Sequence, residues 1–129
     1  MIVADTNAAI YLTFGGELVD AAARWYRADP DWAAPPLWRS EYRNALALQL
    51  RRGRLELPEA IRKLHAAERL FTRREFAAPS DAVLRLAAES GCTAYDCEFV
   101  AVAQALGVKL VTSDRQVLKA FPKVAVPLR

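Results

Sequence analysis

Short apolar runs alternate with longer helical segments along this chain, and that alternation limits the folds open to it. The runs at residues 2–4, 32–34, 109–112 and 124–126 each suit a short buried strand. Helices between such strands act as crossover connections, which leave the strands parallel and cover both faces of the sheet. The sequence therefore predicts an α/β sandwich with a central parallel sheet.

Glycine, proline and capping residues divide the helical segments. Pro58 and Pro79 suit first turns, Thr93 suits an N-cap, and Gly53 and Gly107 follow helix ends. Six helices are predicted, over residues 17–28, 37–52, 58–74, 79–90, 93–106 and 115–121. The 129 residues, 53% of them hydrophobic, contain no internal repeat or low-complexity linker, so we expect one domain over residues 1–129.

Composition argues against several classes of protein. Cys92 and Cys97 form no C-x-x-C or zinc pattern, so we expect free thiols in a reducing cytoplasm. Residues 1–7 lack the features of a signal peptide and no window has the length and apolarity of a membrane span, so we expect no membrane partner. The net charge of +3 permits a nucleic-acid ligand but does not identify one.

Basic residues cluster in three places, and two interpretations fit them. The clusters consist of Arg51, Arg52 and Arg54, of Arg62 and Lys63, and of Arg69, Arg73 and Arg74. Glutamates are interleaved with them, at Glu56, Glu59, Glu68 and Glu75. A solvated helix face and an RNA-contacting surface are both consistent with this pattern.

Two aspartates follow predicted strands at the sheet edge where ligands usually bind. Asp5 stands after residues 2–4, and Asp114 stands after residues 109–112. In open parallel sheets, ligands lie in the crevice beyond the carboxyl ends of the strands. We therefore expect both carboxylates to face one crevice.

Two further acids lie on predicted helices, each on a face that is otherwise apolar. Glu41 has helical spacing with Trp38, Ala45 and Leu48, and Asp96 precedes the apolar series Phe99, Val100 and Ala103. A carboxylate that faces a core is unfavourable unless it is paired or bound to a metal ion. The four acids together suggest a functional cluster.

Each acid also has a purely structural interpretation. Asp5 and Asp114 suit helix N-caps. Thr93 and Asp96 resemble a capping box. Glu41 has Arg39 and Arg43 on its own helix as possible ion-pair partners, or is exposed at the edge of that helix. The sequence leaves these alternatives open.

Four carboxylates in one crevice would repel one another unless a cation lay between them. Magnesium and manganese prefer such oxygen ligands, and can activate water for attack on a phosphodiester. His65 is the only histidine, so a paired-histidine nuclease is excluded. No G-x-S-x-G serine motif or phosphate-binding P-loop is present. The residues thus favour metal-dependent phosphodiester hydrolysis.

Four short motifs carry a resemblance to a known family. They are M-I-V-A-D-T-N at residues 1–7, Ser40-Glu41, Tyr95-Asp96 and L-V-T-S-D at residues 110–114. In order and spacing the chain resembles the PIN-domain nucleases, and in its short single-domain form the VapC-type toxins of bacterial toxin–antitoxin pairs. The resemblance implies a PIN-like α/β/α sandwich with strand order 3-2-1-4-5. It also implies a Mg²⁺ or Mn²⁺ site, an RNA substrate cut by an endoribonuclease, a homodimer and a cognate antitoxin.

The resemblance also assigns roles to individual residues. Asp5 and Asp96 match the acids that hold the metal most directly, and Glu41 and Asp114 complete the catalytic set. Supporting roles fall to Thr6, Asn7 and Thr112. Two places depart from the family pattern: small residues at Ala8-Ala9 replace bulkier aliphatics, and Cys97 stands where alanine is common. Both departures concern packing more than the acids.

Two other functions remain as alternatives at this stage. An aspartyl-phosphate enzyme or phosphoacceptor would use Asp5, with Thr112 and Lys109 near the phosphate, but the phosphatase pattern has a second aspartate where Asn7 stands. A non-catalytic RNA-binding protein of the same fold would gain nothing from a concentrated acidic crevice. The three tryptophans are expected to pack in the core rather than to stack on bases: Trp25, Trp32 and Trp38.

Overall fold

A computed structural model describes residues 1–129 and shows four short strands connected by seven helices. In chain order the elements are β1 (Ile2–Ala4), α1 (Thr6–Phe14), α2 (Val19–Ala28), β2 (Trp32–Ala33), α3 (Leu37–Arg51), α4 (Leu57–Leu70), α5 (Ser80–Ser90), α6 (Ala94–Leu106), β3 (Leu110–Thr112), α7 (Arg115–Ala120) and β4 (Ala125–Pro127). The predicted α/β architecture with a central parallel sheet is confirmed.

The sheet has the order β2-β1-β3-β4, and every pair of neighbouring strands is parallel. The five-stranded order 3-2-1-4-5 that the resemblance implies differs from this observed order in one detail. A single parallel bridge between Ala34 and Glu75 occupies the place of the third strand, outside β2. Pairing cannot continue there, because Pro35 and Pro36 have no backbone N–H to donate. With the bridge counted, the predicted order is recovered.

The core lies on both faces of this sheet. All three residues of β1 and of β3 are buried, as expected for central parallel strands covered by helices. Trp32 and Trp38 are completely buried, and the ring of Trp38 lies 4.6 Å from that of Phe71, centroid to centroid. Both tryptophans therefore pack in the core as predicted, and Trp25 is partly buried against it.

Two helices differ from the sequence prediction. Helix α1 was not predicted, because its nine residues are apolar on nearly every side and show no amphipathic period. Helix α4 ends at Leu70 rather than near residue 74. The chain turns there through Arg73, whose φ of 61° is left-handed and incompatible with a continuing helix.

Glu75 joins the sheet edge to the helices that pack beside it. Its carboxylate accepts two hydrogen bonds from the Arg39 guanidinium, at 2.8 and 2.6 Å, and one from the indole N–H of Trp38, at 3.1 Å. Arg39 also donates to Glu68 on α4, at 2.7 Å. This network connects α3, α4 and the bridging segment, and the Arg39 guanidinium lowers the pKa of the Glu75 carboxyl.

We expect Glu75→Gln to lower the free energy of unfolding by only about 1 kcal/mol at neutral pH, since solvent screens this partly exposed ion pair. Because the pKa of Glu75 is lower in the folded than in the unfolded protein, its contribution to stability is fully present above the unfolded pKa of about 4.3. That contribution is lost as the pH falls through the folded pKa. Urea unfolding at pH 7 and pH 3 measures both effects. Glu17→Gln, at an exposed position, serves as the control. Equal stabilities of the Glu75 variant and wild type at pH 7 would contradict this role.

Candidate active site

A depression of about 470 Å³ opens beyond the carboxyl ends of β1 and β3, and all four predicted acids line it. They arrive from four separate segments: the end of β1, helix α3, the start of α6 and the start of α7. The lining residues are Asp5, Thr6, Asn7, Ile10, Glu41, Asn44, Ala45, Leu48, Asp96 and Asp114. Residues far apart in the sequence thus meet at the edge of the sheet that the sequence analysis predicted.

Asp5 occupies the N-cap position of α1, but its side chain makes no capping hydrogen bond. Instead its Oδ2 accepts a 2.6 Å hydrogen bond from the hydroxyl of Thr112 on the neighbouring strand. Thr112 is completely buried and its hydroxyl also accepts from the backbone N–H of Asp114, at 3.0 Å. Asp5 therefore holds the N-cap position without side-chain capping, and its carboxylate is bonded to Thr112 instead.

Glu41 lies at the edge of the buried face of α3. That face consists of Trp38, Tyr42 and Leu46, so Glu41 does not share it with Trp38 as the spacing suggested. Glu41 Oε1 accepts a 2.7 Å hydrogen bond from the hydroxyl of Thr6. The ion pair considered with Arg39 is absent, because that guanidinium binds Glu68 and Glu75.

Asp114 and Asp96 belong to helix starts that are also capped. Asp114 Oδ1 accepts from the backbone N–H of Val117 at 3.0 Å, which makes Asp114 the N-cap of α7. The hydroxyl of Thr93 accepts from the backbone N–H of Asp96 at 3.1 Å and caps α6. The capping interpretations of Asp114 and Thr93 are thus correct. Capping does not remove either carboxylate from the depression, so the two interpretations coexist.

The depression is electrostatically unfavourable to its own carboxylates. Burial raises the pKa of Asp5, the Thr112 hydrogen bond opposes this, and repulsion from Asp96 and Asp114 adds to it. Burial likewise raises the pKa of Glu41, opposed by the hydrogen bond from Thr6 and reinforced by Asp5 and Asp96. The pKa of Asp96 is raised by burial and by Asp114. No lysine or arginine lines the depression to offset these charges.

Oxygen atoms are the only ligands this site offers to a cation. Both cysteines are free thiols buried elsewhere, and His65 is exposed on α4. No group of three or more histidine, cysteine, aspartate or glutamate side chains forms a ready-made metal cage. Asp5, Glu41 and Asp114 each keep a second carboxylate oxygen outside the Thr112, Thr6 and Val117 bonds. The donor chemistry therefore fits a hard divalent ion, although no three of the carboxylates are grouped closely around a common point.

Several expectations concern residues around the acids. Thr6 and Asn7 both line the depression. Lys109 lies at the other end of the strands, at the amino end of β3, where its Nζ donates to the Lys123 carbonyl at 2.7 Å. The phosphoacceptor alternative, which requires Lys109 beside Asp5, is therefore wrong. Asn44 and Ile10 also line the depression but were not predicted as site residues, although Asn44 follows Glu41 by three positions on one helix.

None of the helices is both long and apolar enough to cross a membrane.

Comparisons with known proteins agree with this fold. A family model for the PIN domain matches residues 2–125. The chain is similar to Exonuclease VapC9 of Pyrobaculum aerophilum, with 36% identity over 110 residues, which cover 78% of this chain and 82% of the relative. It is also similar to Ribonuclease VapC3 of the same organism, with 30% identity over 129 residues and 98% of each chain covered.

Solved structures show the same arrangement of elements. PAE2754 from Pyrobaculum aerophilum matches with a TM-score of 0.78 and 31% identity, over 98% of this chain and 90% of that one. FitAcB from Neisseria gonorrhoeae matches with a TM-score of 0.73 and 18% identity, over 97% and 96% of the two chains. A toxin–antitoxin complex from Klebsiella pneumoniae matches with a TM-score of 0.69 and 19% identity, over 98% and 96%. At such low identity the last two support the fold alone.

The raised pKa of Asp5 generates a prediction about stability without metal. Because burial and like charges disfavour its ionised form, we expect Asp5→Asn to leave the melting temperature in EDTA equal to or above that of wild type. Thr93→Ala removes a true cap and should lower stability by about 1 kcal/mol. Thermal melts of the three proteins at pH 7 make the comparison. A clear fall in the melting temperature of Asp5→Asn would mean that this carboxylate is structural.

Proposed function

Because the chain belongs to the PIN-domain family and is related to VapC proteins, we propose that it is a metal-dependent ribonuclease that hydrolyses phosphodiester bonds of RNA. The observation that carries this proposal is the convergence of Asp5, Glu41, Asp96 and Asp114 on one depression. RNA as the substrate is supported by the relative named a ribonuclease, which matches along 98% of this chain. The second relative is named an exonuclease, so the mode of cleavage needs its own test.

The metal we propose is Mg²⁺ or Mn²⁺, held chiefly by Asp5 and Asp96. When bound, such an ion supplies an activated water at neutral pH and neutralises charge that develops on the phosphoryl group. Glu41 and Asp114 complete the set, either as direct ligands or by orienting waters. All four offer the oxygen ligands that these ions prefer.

Two threonines would keep the carboxylates in place while they act. The Thr112 hydroxyl holds Asp5 Oδ2, and the Thr6 hydroxyl holds Glu41 Oε1, so the remaining oxygen of each has a defined direction. Both threonines are buried, which limits the rotation of their side chains. Their contribution is thus to orient the acids before a cation or a substrate arrives.

Removal of a single carboxylate should disable cleavage without unfolding the protein. We expect Asp5→Asn and Asp96→Asn to lower RNA cleavage by orders of magnitude, because each removes a proposed metal ligand. Glu41→Gln and Asp114→Asn should retain some turnover if these residues act through waters. Asp81→Asn, at an exposed position on α5, is the control and should cleave as wild type does.

Gel electrophoresis of a labelled single-stranded RNA measures these rates, and circular dichroism checks that each variant is folded. A circular single-stranded RNA added in parallel separates the two cleavage modes, because only an endonuclease can open it. We expect the circle to be cut. Full activity in Asp5→Asn would refute the proposed site, and a circle that stays intact while linear RNA shortens would make the enzyme an exonuclease.

Metal binding should also stabilise the folded protein. We expect millimolar Mg²⁺ or Mn²⁺ to raise the melting temperature of wild type, with a free-energy gain that follows RT ln(1 + [L]/Kd). Asp5→Asn should lose this shift while remaining folded. Ca²⁺ is expected to bind without supporting cleavage, since its looser geometry orients the attacking water less strictly. A wild-type protein that shows the same melting temperature in EDTA and in Mn²⁺ would contradict the metal site.

We further propose that the protein is the toxin of a type II toxin–antitoxin pair and that it acts as a homodimer in the cytoplasm. An antitoxin would then cover the acidic depression, and a basic side chain from it would offset the carboxylates. Expression of the protein alone should arrest growth, and co-expression of the product of a neighbouring small gene should relieve the arrest. Harmless overexpression, with the nuclease active in vitro, would refute the toxin role and leave the ribonuclease proposal intact.

A further inference from the structure

The acidic depression continues beyond the carboxylates as a groove between α1 and α3. We call this the α1–α3 groove, and its lining residues are Asn7, Ile10, Asn44, Ala45 and Leu48. On α3, positions 41, 44, 45 and 48 share one helical face, so the acidic and groove residues form a continuous stripe. Glu41 and Leu48 lie seven residues apart, which is about 10 Å along a helix axis. The groove is thus long enough to lodge part of a nucleotide beside the acids.

The α1–α3 groove contains free hydrogen-bond donors, whereas the part of the depression lined by the four carboxylates has none. The hydroxyls of Thr6 and Thr112 are already donated to Glu41 and Asp5. Asn44 and Asn7 are exposed, and the hydrogen bonds of the protein engage neither side-chain amide. Because no basic residue lines the depression, these two amides are the side-chain donors left for an anionic ligand.

The two asparagines differ in their surroundings. Asn7 is two residues from Asp5, at the first turn of α1. Asn44 lies one helical turn beyond Glu41 and next to Ala45, with Ile10 and Leu48 forming the partly buried apolar wall of the groove. A donor beside an apolar wall matches a nucleotide, which presents phosphate and sugar oxygens on one side and a flat base on the other.

We propose that the α1–α3 groove binds the nucleotide that flanks the scissile phosphate, and that Asn44 is the positioning residue that donates its side-chain N–H to the sugar–phosphate backbone there. This inference rests on the proposed ribonuclease function and adds the path of the RNA across the surface. Ile10 and Leu48 contact the base of the same nucleotide. Asn44 acts on substrate binding rather than on the metal or on the bond that breaks.

The test compares wild type with Asn44→Ala, Asn44→Asp and the control Gln104→Ala. Gln104 is an exposed amide near the amino ends of β1 and β3, far from the depression, so its loss should change neither RNA binding nor cleavage. Single-turnover cleavage of a labelled single-stranded RNA over a range of protein concentrations separates the half-saturating concentration from the maximal rate. Fluorescence anisotropy with the same RNA in Ca²⁺ measures binding without cleavage, and a Mn²⁺ titration followed by melting temperature measures metal binding.

We expect Asn44→Ala to raise the half-saturating concentration and the anisotropy Kd about tenfold, as the loss of a hydrogen bond to a charged group would. The maximal rate and the Mn²⁺ titration should not change. Asn44→Asp should bind RNA more weakly still, because its carboxylate repels the phosphate. Unchanged RNA binding in both variants, or a loss confined to the maximal rate, overturns the inference while a cleaving wild type leaves the proposed function in place. A wild type that neither cleaves nor binds RNA overturns both.

Discussion

The hydrogen bond from Thr112 to Asp5 joins the carboxyl ends of the two central strands, and the candidate site depends on it. It spans 107 positions of the sequence and is 2.6 Å long. The backbone N–H of Asp114 donates to the same hydroxyl, so one buried side chain fixes the relation between β1, β3 and the start of α7. Burying a hydroxyl is favourable only when it is bonded, and here both its donor and its acceptor capacity are used. The result is a common support for the two aspartates that line the depression from the strand ends.

The other two acids are supported in a different way. Glu41 is attached to α1 through Thr6, and Asp96 follows a capped helix start. Strand register, helix packing and a helix cap thus each contribute to one cluster of like charges. Burial and repulsion raise the pKa of three of the four carboxyls, so the fold holds these carboxylates together although their negative charges are unfavourable there.

The sequence predicted the elements whose signals are local. Buried strands, the Thr93 cap and six helices could be inferred from apolar runs, capping residues and helix breakers. Helix α1 could not, because it is enclosed on most sides and its residues show no polar face. The bridge between Ala34 and Glu75 also has no local signal, because it depends on the chain returning to β2 after Arg73, and only the resemblance implied a strand there. A departure from the family pattern at Ala8 and Ala9 now has a physical account: both are completely buried, and α1 packs closely against the core there.

For the site, the sequence indicated which acids are present but not how each is held. Position after a strand was enough to place Asp5 and Asp114, whereas the helical spacing of Glu41 held for Ala45 and Leu48 but not for Trp38. Spacing misplaced the buried face of α3, because Trp38 and Glu41 are three residues apart yet only the first enters the core. The threonine hydrogen bonds, which decide the direction of two carboxylates, depend on contacts between distant segments and carry no local signal.

The prolines that stop sheet pairing have a consequence for the behaviour of the protein in concentrated solution. An open strand edge exposes unpaired backbone groups that can recruit a strand from another molecule. Here β2 ends against Pro35, a lone bridge from Glu75 covers Ala34 next to it, and the other outer strand ends in Pro127. Neither edge offers a long row of N–H donors to a neighbouring chain. The sheet therefore gives a second copy of the protein no extended strand edge with which to pair, although its strands are strongly apolar.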